Sequence, residues 1–263
     1  MKPKPPHHNA FRFMLPRSTA LADPVTAKLA SSLGICDIWY GADRKLVLYP
    51  TDDNALWNFV AVHPASLSSA STGYKTSGSK EVMLELYKDF DLIARALLSH
   101  APEDSLKVYQ LQDMDALPTF VHDRLALAGD AAHPFLPHLG QGGAQAIEDG
   151  VSLGVLLSSD ITREEVPSRL KLYNDCRYER ATLIQHYTRL AGGDGLSDNQ
   201  DAAETEQPPG ESIVVACLCL CRADRCAVNV YFGYAFSHDE YDASSDRLRE
   251  YKENKSVENQ LSH

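Results

Sequence analysis

Residues 129–153 read GDAAHPFLPHLGQGGAQAIEDGVSL and bring together a carboxylate, Asp130, and a glycine-rich loop that leads into a helix. An aspartate at the carboxyl end of a buried strand lies where α/β sheets bind ligands, and its oxygens can accept hydrogen bonds from ligand hydroxyls. Gly140, Gly142 and Gly143 carry no side chains, so backbone N–H groups at a helix start can approach an electron-rich group, and the helix dipole favours negative charge there. The same residues also fit a plain turn at Gly129-Asp130 followed by a glycine-capped helix, and pattern alone leaves both readings open. His133 and His138 invite a catalytic reading, because histidine as a residue type serves in acid-base chemistry, but they read as loop residues. Glu148 and Asp149 read as carboxylates that stabilise the first turns of a helix.

The surrounding pattern supplies the elements that must hold this segment. Arg124 to Gly129 reads as a short buried strand, Ala131 to Gly143 as a loop, and Ala144, Ile147, Val151 and Val155 as the apolar stripe of a helix. A longer helix begins either at Pro167 or at a Thr162/Glu165 capping box, with Leu170, Tyr173, Cys176, Ile184 and Tyr187 inward and Gly192-Gly193 ending it. Upstream, Cys36 to Tyr40, Lys45 to Tyr49 and Leu56 to Val62 form an antiparallel meander with turns at Gly41-Ala42-Asp43 and Asp52-Asp53-Asn54. One helix is expected from a Ser79 cap to about His100, then a strand at Leu106 to Leu111.

The 263 residues are 44% hydrophobic and 23% charged, enough for a sizeable core. With 25 Lys+Arg against 36 Asp+Glu the net charge is −11, which argues against a nucleic-acid-binding protein. The longest uncharged apolar run, Ile213 to Cys221, is about half the roughly 20 residues that cross a bilayer, so no membrane span is expected and the cytoplasm is the expected location. Cys36 and Cys176 read as reduced structural thiols. Cys217, Cys219, Cys221 and Cys226 lack the paired spacing of common structural zinc sites, so no metal is expected.

The whole stretch Gly129 to Leu153 resembles the second flavin-binding motif of class A FAD-dependent monooxygenases, the aromatic hydroxylase family that includes salicylate hydroxylase-like enzymes. Tyr40-Gly41-Ala42-Asp43-Arg44 and Leu48-Tyr49-Pro50 resemble that family's substrate-domain sheet, Tyr173 to Gly193 resembles the helix that follows, and His238-Asp239-Glu240 is similar to fungal-type members. The resemblance covers roughly residues 11 to 193 and resumes near 229 to 251. It implies a mixed α+β and α/β fold: part of a Rossmann-like FAD/NAD(P)-binding domain, an antiparallel substrate-domain sheet, and C-terminal helices. It also implies that Asp130 holds a ribityl hydroxyl of FAD and that Gly140, Gln141, Gly142, Gly143 and Ala144 lie against the isoalloxazine, Gly143 above all. The chemistry implied is NAD(P)H- and O2-dependent hydroxylation of a small aromatic or related organic substrate through a flavin C4a-hydroperoxide. No catalytic side chain is identified. Trp39, Leu48 and Phe59 read as core before substrate wall.

The expected organisation is a disordered start at 1–10, a remnant of the substrate-binding domain at 11–118, the C-terminal part of the FAD-binding domain at 119–193, a disordered acidic linker with a cysteine-containing insert at 194–228, and a tail at 229–263. The G-x-G-x-x-G strand-and-helix unit of the family does not occur, so the chain reads as the C-terminal portion of such an enzyme. The insert near 210–228 interrupts the family pattern. Trp39 and Trp57 do not sit in the W-x-W-x-I-P pattern of flavin-dependent halogenases. The alternative is a catalytically inactive remnant, or an interaction module that needs a partner chain over the surface the absent half would cover.

Overall fold

The computed structural model describes residues 4–69, 76–192, 212–215 and 238–261. They fall into two compact units, one drawn from 5–112 and 200–222, the other from 1–4, 113–199 and 223–263.

The first unit is built on a seven-stranded antiparallel sheet. In chain order its strands are β1 (His8–Pro16), β2 (Cys36–Tyr40), β3 (Lys45–Thr51), β4 (Leu56–Pro64), β5 (Thr76–Ser77), β6 (Lys107–Gln110) and, later in the chain, Ser212–Val215. Their spatial order is β5-β6-β1-β4-β3-β2 and then Ser212–Val215 at the edge. Alternation in β1 sends Phe11, Phe13 and Leu15 inward and Arg12 and Met14 outward. Phe13 pairs with Phe59 in register, and their rings stack at 4.5 Å. The meander expected from the sequence is β2-β3-β4, and its Asp52-Asp53-Asn54 turn has three consecutive positive φ angles, a conformation Asp and Asn tolerate. Gly41 closes the other turn, where an added Cβ would lie 3.0 Å from the Phe90 ring.

The short helices α1 (Arg17–Ala22) and α2 (Ala27–Ala30) follow β1, while α3 (Lys80–Leu86) and α4 (Leu92–Ser99) cover the sheet with Met83, Tyr87, Ala94, Leu97 and Leu98. Trp39, Leu48 and Phe59 lie in this core, as their apolar pattern requires. The single helix expected from Ser79 to His100 is broken. Asp91 starts a new helix by accepting the Ala94 N–H at 2.7 Å and also accepts the Trp39 indole N–H at 3.0 Å, an acceptor that a continuous helix would not place there.

The second unit carries a small hairpin, β7 (Val121–His122) with β8 (Leu125–Ala126), and the helices α5 (Gly142–Leu156), α6 (Val166–Gly192) and α7 (Glu240–Leu261), with Ser212–Val215 counted as β9 of the first unit. Thr162 and Glu165 form a capping box on a turn of 3-10 helix, Arg163–Glu165, with the Thr162 N–H donating to Glu165 at 2.9 Å, and α6 runs on from Val166, so features of both expected starts are present. Leu170, Tyr173 and Ile184 are buried as expected, Cys36 is half-buried, and Cys176 is a free, half-buried thiol.

Four expectations are corrected. The start is ordered from Lys4, whose N–H pairs with Asp113 O at 2.8 Å, and β1 begins at His8 because Asn9 is tied to Ala65 and Ser68. Arg124 to Gly129 is not a buried strand: only Leu125–Ala126 pairs, with β7 alone among the described residues, and Leu125 is 57% exposed. Within the stretch taken as a disordered linker, Ser212–Val215 adds to β2. The tail, whose Ser244 to Lys255 stretch reads as charged and weakly helical, is a helix that docks, because α7 buries Glu240 and Ser244 and Ser244 bonds Ser152 at 2.8 Å. The acidic run before 212, the Cys217–Cys226 group and the 228–236 segment lie outside the described residues.

His63 is buried with its ring stacked on Phe11, Nδ1 facing Ala61 O and Nε2 facing Ser68 Oγ. Burial pushes its pKa down to about 4. The unfolded chain therefore binds a proton near pH 6.5 that the folded chain refuses until about 4, and stability should fall as the pH drops through that window. Urea midpoints measured from pH 7 to 4 should show this slope in the wild type and a flatter one in His63→Gln.

Candidate functional site

The glycine-aspartate pair forms a tight turn that is held from behind. Gly129 has φ +57, which an L side chain rarely adopts, and a Cβ there would lie 3.4 Å from the Ala146 side chain on α5. Its N–H donates to Asp149 Oδ2 at 2.8 Å. The turn is thus seated against the N-terminal half of α5, and Asp130 beside it is exposed, with no hydrogen bond to it among the described residues.

From that turn the chain loops to the start of α5. Thr188 Oγ1 donates to Leu136 O at 2.6 Å and Gln185 Nε2 to Pro134 O at 2.8 Å, so α6 fixes the loop at two carbonyls. A turn of 3-10 helix at Pro137–Leu139 ends on Gly140, whose φ of +65 is again left-handed. Gln141 is buried, and its carbonyl accepts the Gln145 N–H at 2.9 Å. The N–H groups of Gly142, Gly143 and Ala144 therefore stand ahead of that bond, and no side chain caps them. Gly143 is exposed and in a helical backbone, and a Cβ placed on it would meet nothing within 4 Å. Nothing in the folded chain requires glycine at this position, where it costs about 1 kcal/mol against alanine.

Behind these exposed groups is a buried charge network that the sequence reading missed. Arg177 of α6 is fully buried and donates from Nε to Asp149 Oδ1 at 2.8 Å, from Nη1 to Glu148 at 2.5 Å and Glu240 at 2.9 Å, and from Nη2 to Gln145 Oε1 at 2.7 Å. Arg180 grips both oxygens of Glu148 at 2.7 and 2.8 Å. His133, walled by Phe120 and Phe135, places Nε2 2.7 Å from Asp149 Oδ2. Burial works to raise the pKa of both carboxylates, but it is outweighed: Arg180 and Arg177 hold Glu148 below its ordinary value, and His133, Arg177 and the Gly129 N–H do the same for Asp149. Glu148, His238 and Glu240 cluster closely enough to bind a cation, yet the Arg177 Nη1 that bonds both carboxylates already supplies the countercharge.

Glu148 and Asp149 are therefore braces and not free charges at a helix start, and His133 belongs to the same brace. The signal was in the spacing: Gln145, Asp149 and Ser152, polar residues at helical intervals, form the buried face of α5, while the apolar Ile147 expected on that face is 70% exposed. Arg177 and Arg180 repeat the pattern on α6. Asp130, Gly140 and Gly143 are exposed and Gly142 and Ala144 half-buried, whereas Gln141 is buried.

Comparison with known proteins gives the site a family. Residues 35–188 match a family described as FAD binding domain. The chain is 29% identical over 209 residues to an FAD-dependent monooxygenase of Aspergillus candidus, covering 77% of this chain and 48% of that protein. It is 33% identical over 177 residues to an FAD-dependent monooxygenase of Diaporthe leptostromiformis, covering 66% and 44%. Among solved structures, a salicylate hydroxylase substrate complex matches with a TM-score of 0.64 at 28% identity, over 73% of this chain and 48% of that one. The chain spans about half the length of these relatives.

Removing one side of the brace leaves a buried charge without its partner. Arg177→Met should cost about 3–5 kcal/mol by urea denaturation. Because Asp149 has a lowered folded-state pKa, its stabilising contribution is present above the ordinary aspartate value near 3.8 and is lost as acid protonates it. Asp149→Asn should accordingly flatten the acid limb of the stability profile.

Proposed function

The chain belongs to the FAD binding domain family that FAD-dependent monooxygenases share, and on that premise we propose that it forms the flavin-ring and ribityl part of an FAD site in a hydroxylase acting on a small aromatic or related organic substrate. The single observation that carries this reading is the uncapped start of α5 with its unfilled Gly143, on the helix against which Asp149 seats the turn of the exposed Asp130.

The residues fit the group. Asp130 would accept a hydrogen bond from a ribityl hydroxyl, and the amides of Gly140 to Ala144 would face the isoalloxazine edge. FAD, when bound, supplies transfer of reducing equivalents from NAD(P)H to dioxygen and the reactive oxygen for hydroxylation. The N–H groups of Gly142, Gly143 and Ala144, with the α5 dipole behind them, would stabilise negative charge at the ring edge without a titrating side chain. Asp149 positions the turn through the Gly129 N–H and touches no ligand itself. Among the described residues no helix is long and apolar enough to cross a membrane, and the free thiol of Cys176 fits a cytoplasmic setting.

One observation favours a second reading, in which the chain works only with another polypeptide over it. Ile147 and Leu125 are 70% and 57% exposed, beside the proposed flavin site in sequence and on apolar faces that a further layer would cover. A purified chain that stays colourless and turns yellow only with an added partner would support this reading over independent flavin binding.

FAD titration followed by flavin fluorescence tests the main proposal, with substrate-stimulated NAD(P)H oxidation as the readout of activity. Asp130→Ala should weaken FAD binding about tenfold or more, the loss of a hydrogen bond to a charged group. Gly143→Ala should stabilise the fold by up to about 1 kcal/mol while weakening FAD binding. If both variants bind FAD like the wild type, the assignment is wrong.

A further inference from the structure

A second charged site lies between the first turn of α6 and the middle of α7, within the second unit. Arg169 there is only 3% exposed, yet its Nε and Nη1 have no hydrogen-bond acceptor among the described residues. Its guanidinium carbon stands 5.0 Å from the centre of the Tyr251 ring, and Tyr251 is itself held by a 2.9 Å hydrogen bond between its hydroxyl and Ser168. A buried guanidinium normally finds a carboxylate or carbonyl, because desolvating it without an acceptor is costly.

Arg169 lines a cavity of about 260 Å³ together with Tyr251, Lys252 and Lys255 of α7 and the carboxylates Asp160 and Glu165. Lys252 pairs with Asp160 at 3.0 Å and Lys255 with Glu165 at 2.5 Å, all from the outer part of the cavity, where both lysines are half-exposed. Each of these carboxylates is matched by one lysine, so Arg169 is left as the excess positive charge. Glu165 is further committed to capping the Thr162 N–H, which keeps it from turning to Arg169.

We infer that this cavity binds a phosphate group, either inorganic phosphate or the phosphate of a small phosphomonoester. A tetrahedral oxyanion presents several acceptor oxygens, enough to serve Arg169 and the ammonium groups of Lys252 and Lys255 together. The site draws on none of Asp130, Gly140 to Ala144, or the Arg177 network, so it stands or falls separately from the flavin reading.

The test is calorimetric titration of the purified chain, without FAD, with inorganic phosphate and in parallel with glycerol phosphate, at ionic strength held constant with chloride. Saturable binding of at least one ligand is expected, weakened at least tenfold in Arg169→Met and several-fold in Lys252→Gln/Lys255→Gln. Tighter binding of glycerol phosphate assigns the site to phosphomonoesters, and binding of phosphate alone assigns it to the free ion. Should circular dichroism show that Arg169→Met does not fold, the exposed lysine pair decides. Absence of saturable binding by both ligands, or unchanged affinity in the folded variants, overturns the inference.

Discussion

The arrangement of the site depends on one buried contact, the Arg177 guanidinium on Asp149. Asp149 uses one oxygen for Arg177 and the other for both the Gly129 N–H and His133. A single carboxylate thereby joins α6, the middle of α5 and the turn that presents Asp130. An ion pair removed from water is costly to build and more costly to break, so its value here is geometric: it leaves the turn one position against α5. Glu148, Glu240 and Gln145 accept from the rest of the guanidinium, and Arg180 in turn holds Glu148, which keeps the network complete.

This division of labour explains why the residues proposed to face the flavin do little for the fold. Gly143 fills no gap, Asp130 engages no neighbour among the described residues, and the first amides of α5 lack a side-chain cap. Such groups weaken a helix start unless something else occupies it. The inner face of the same helix carries the compensation, in Gln145, Asp149 and Ser152. The start of α5, at Gly142 and Gly143, is left open by residues too small to obstruct it.

Local signals in the sequence marked the elements well where period and turn chemistry agreed. The β2-β3-β4 meander was legible because alternating apolar residues were bounded by Gly41-Ala42-Asp43 and Asp52-Asp53-Asn54. The capping box at Thr162 was legible for the same reason. The break between α3 and α4 was not, since the Trp39 indole that shares Asp91 comes from a strand far away in the sequence. The docking of α7 was hidden likewise, because its buried contacts are the polar Glu240 and Ser244, which read as solvent-facing. Glu148 and Asp149 look like ordinary acids at a helix start until Arg177 and Arg180 arrive from another helix. Asp130 and the glycines could be named from the motif, but the support beneath them is tertiary.

A crystal structure of the chain with FAD tests the central claim most directly. The account predicts the Asp130 carboxylate within hydrogen-bond distance of the sugar-alcohol chain and the ring edge over the amides of Gly142 to Ala144, with Asp149 still on Arg177 and Gly129. Flavin seated elsewhere, with Asp130 facing solvent and a Gly129 turn free of Asp149, would contradict it.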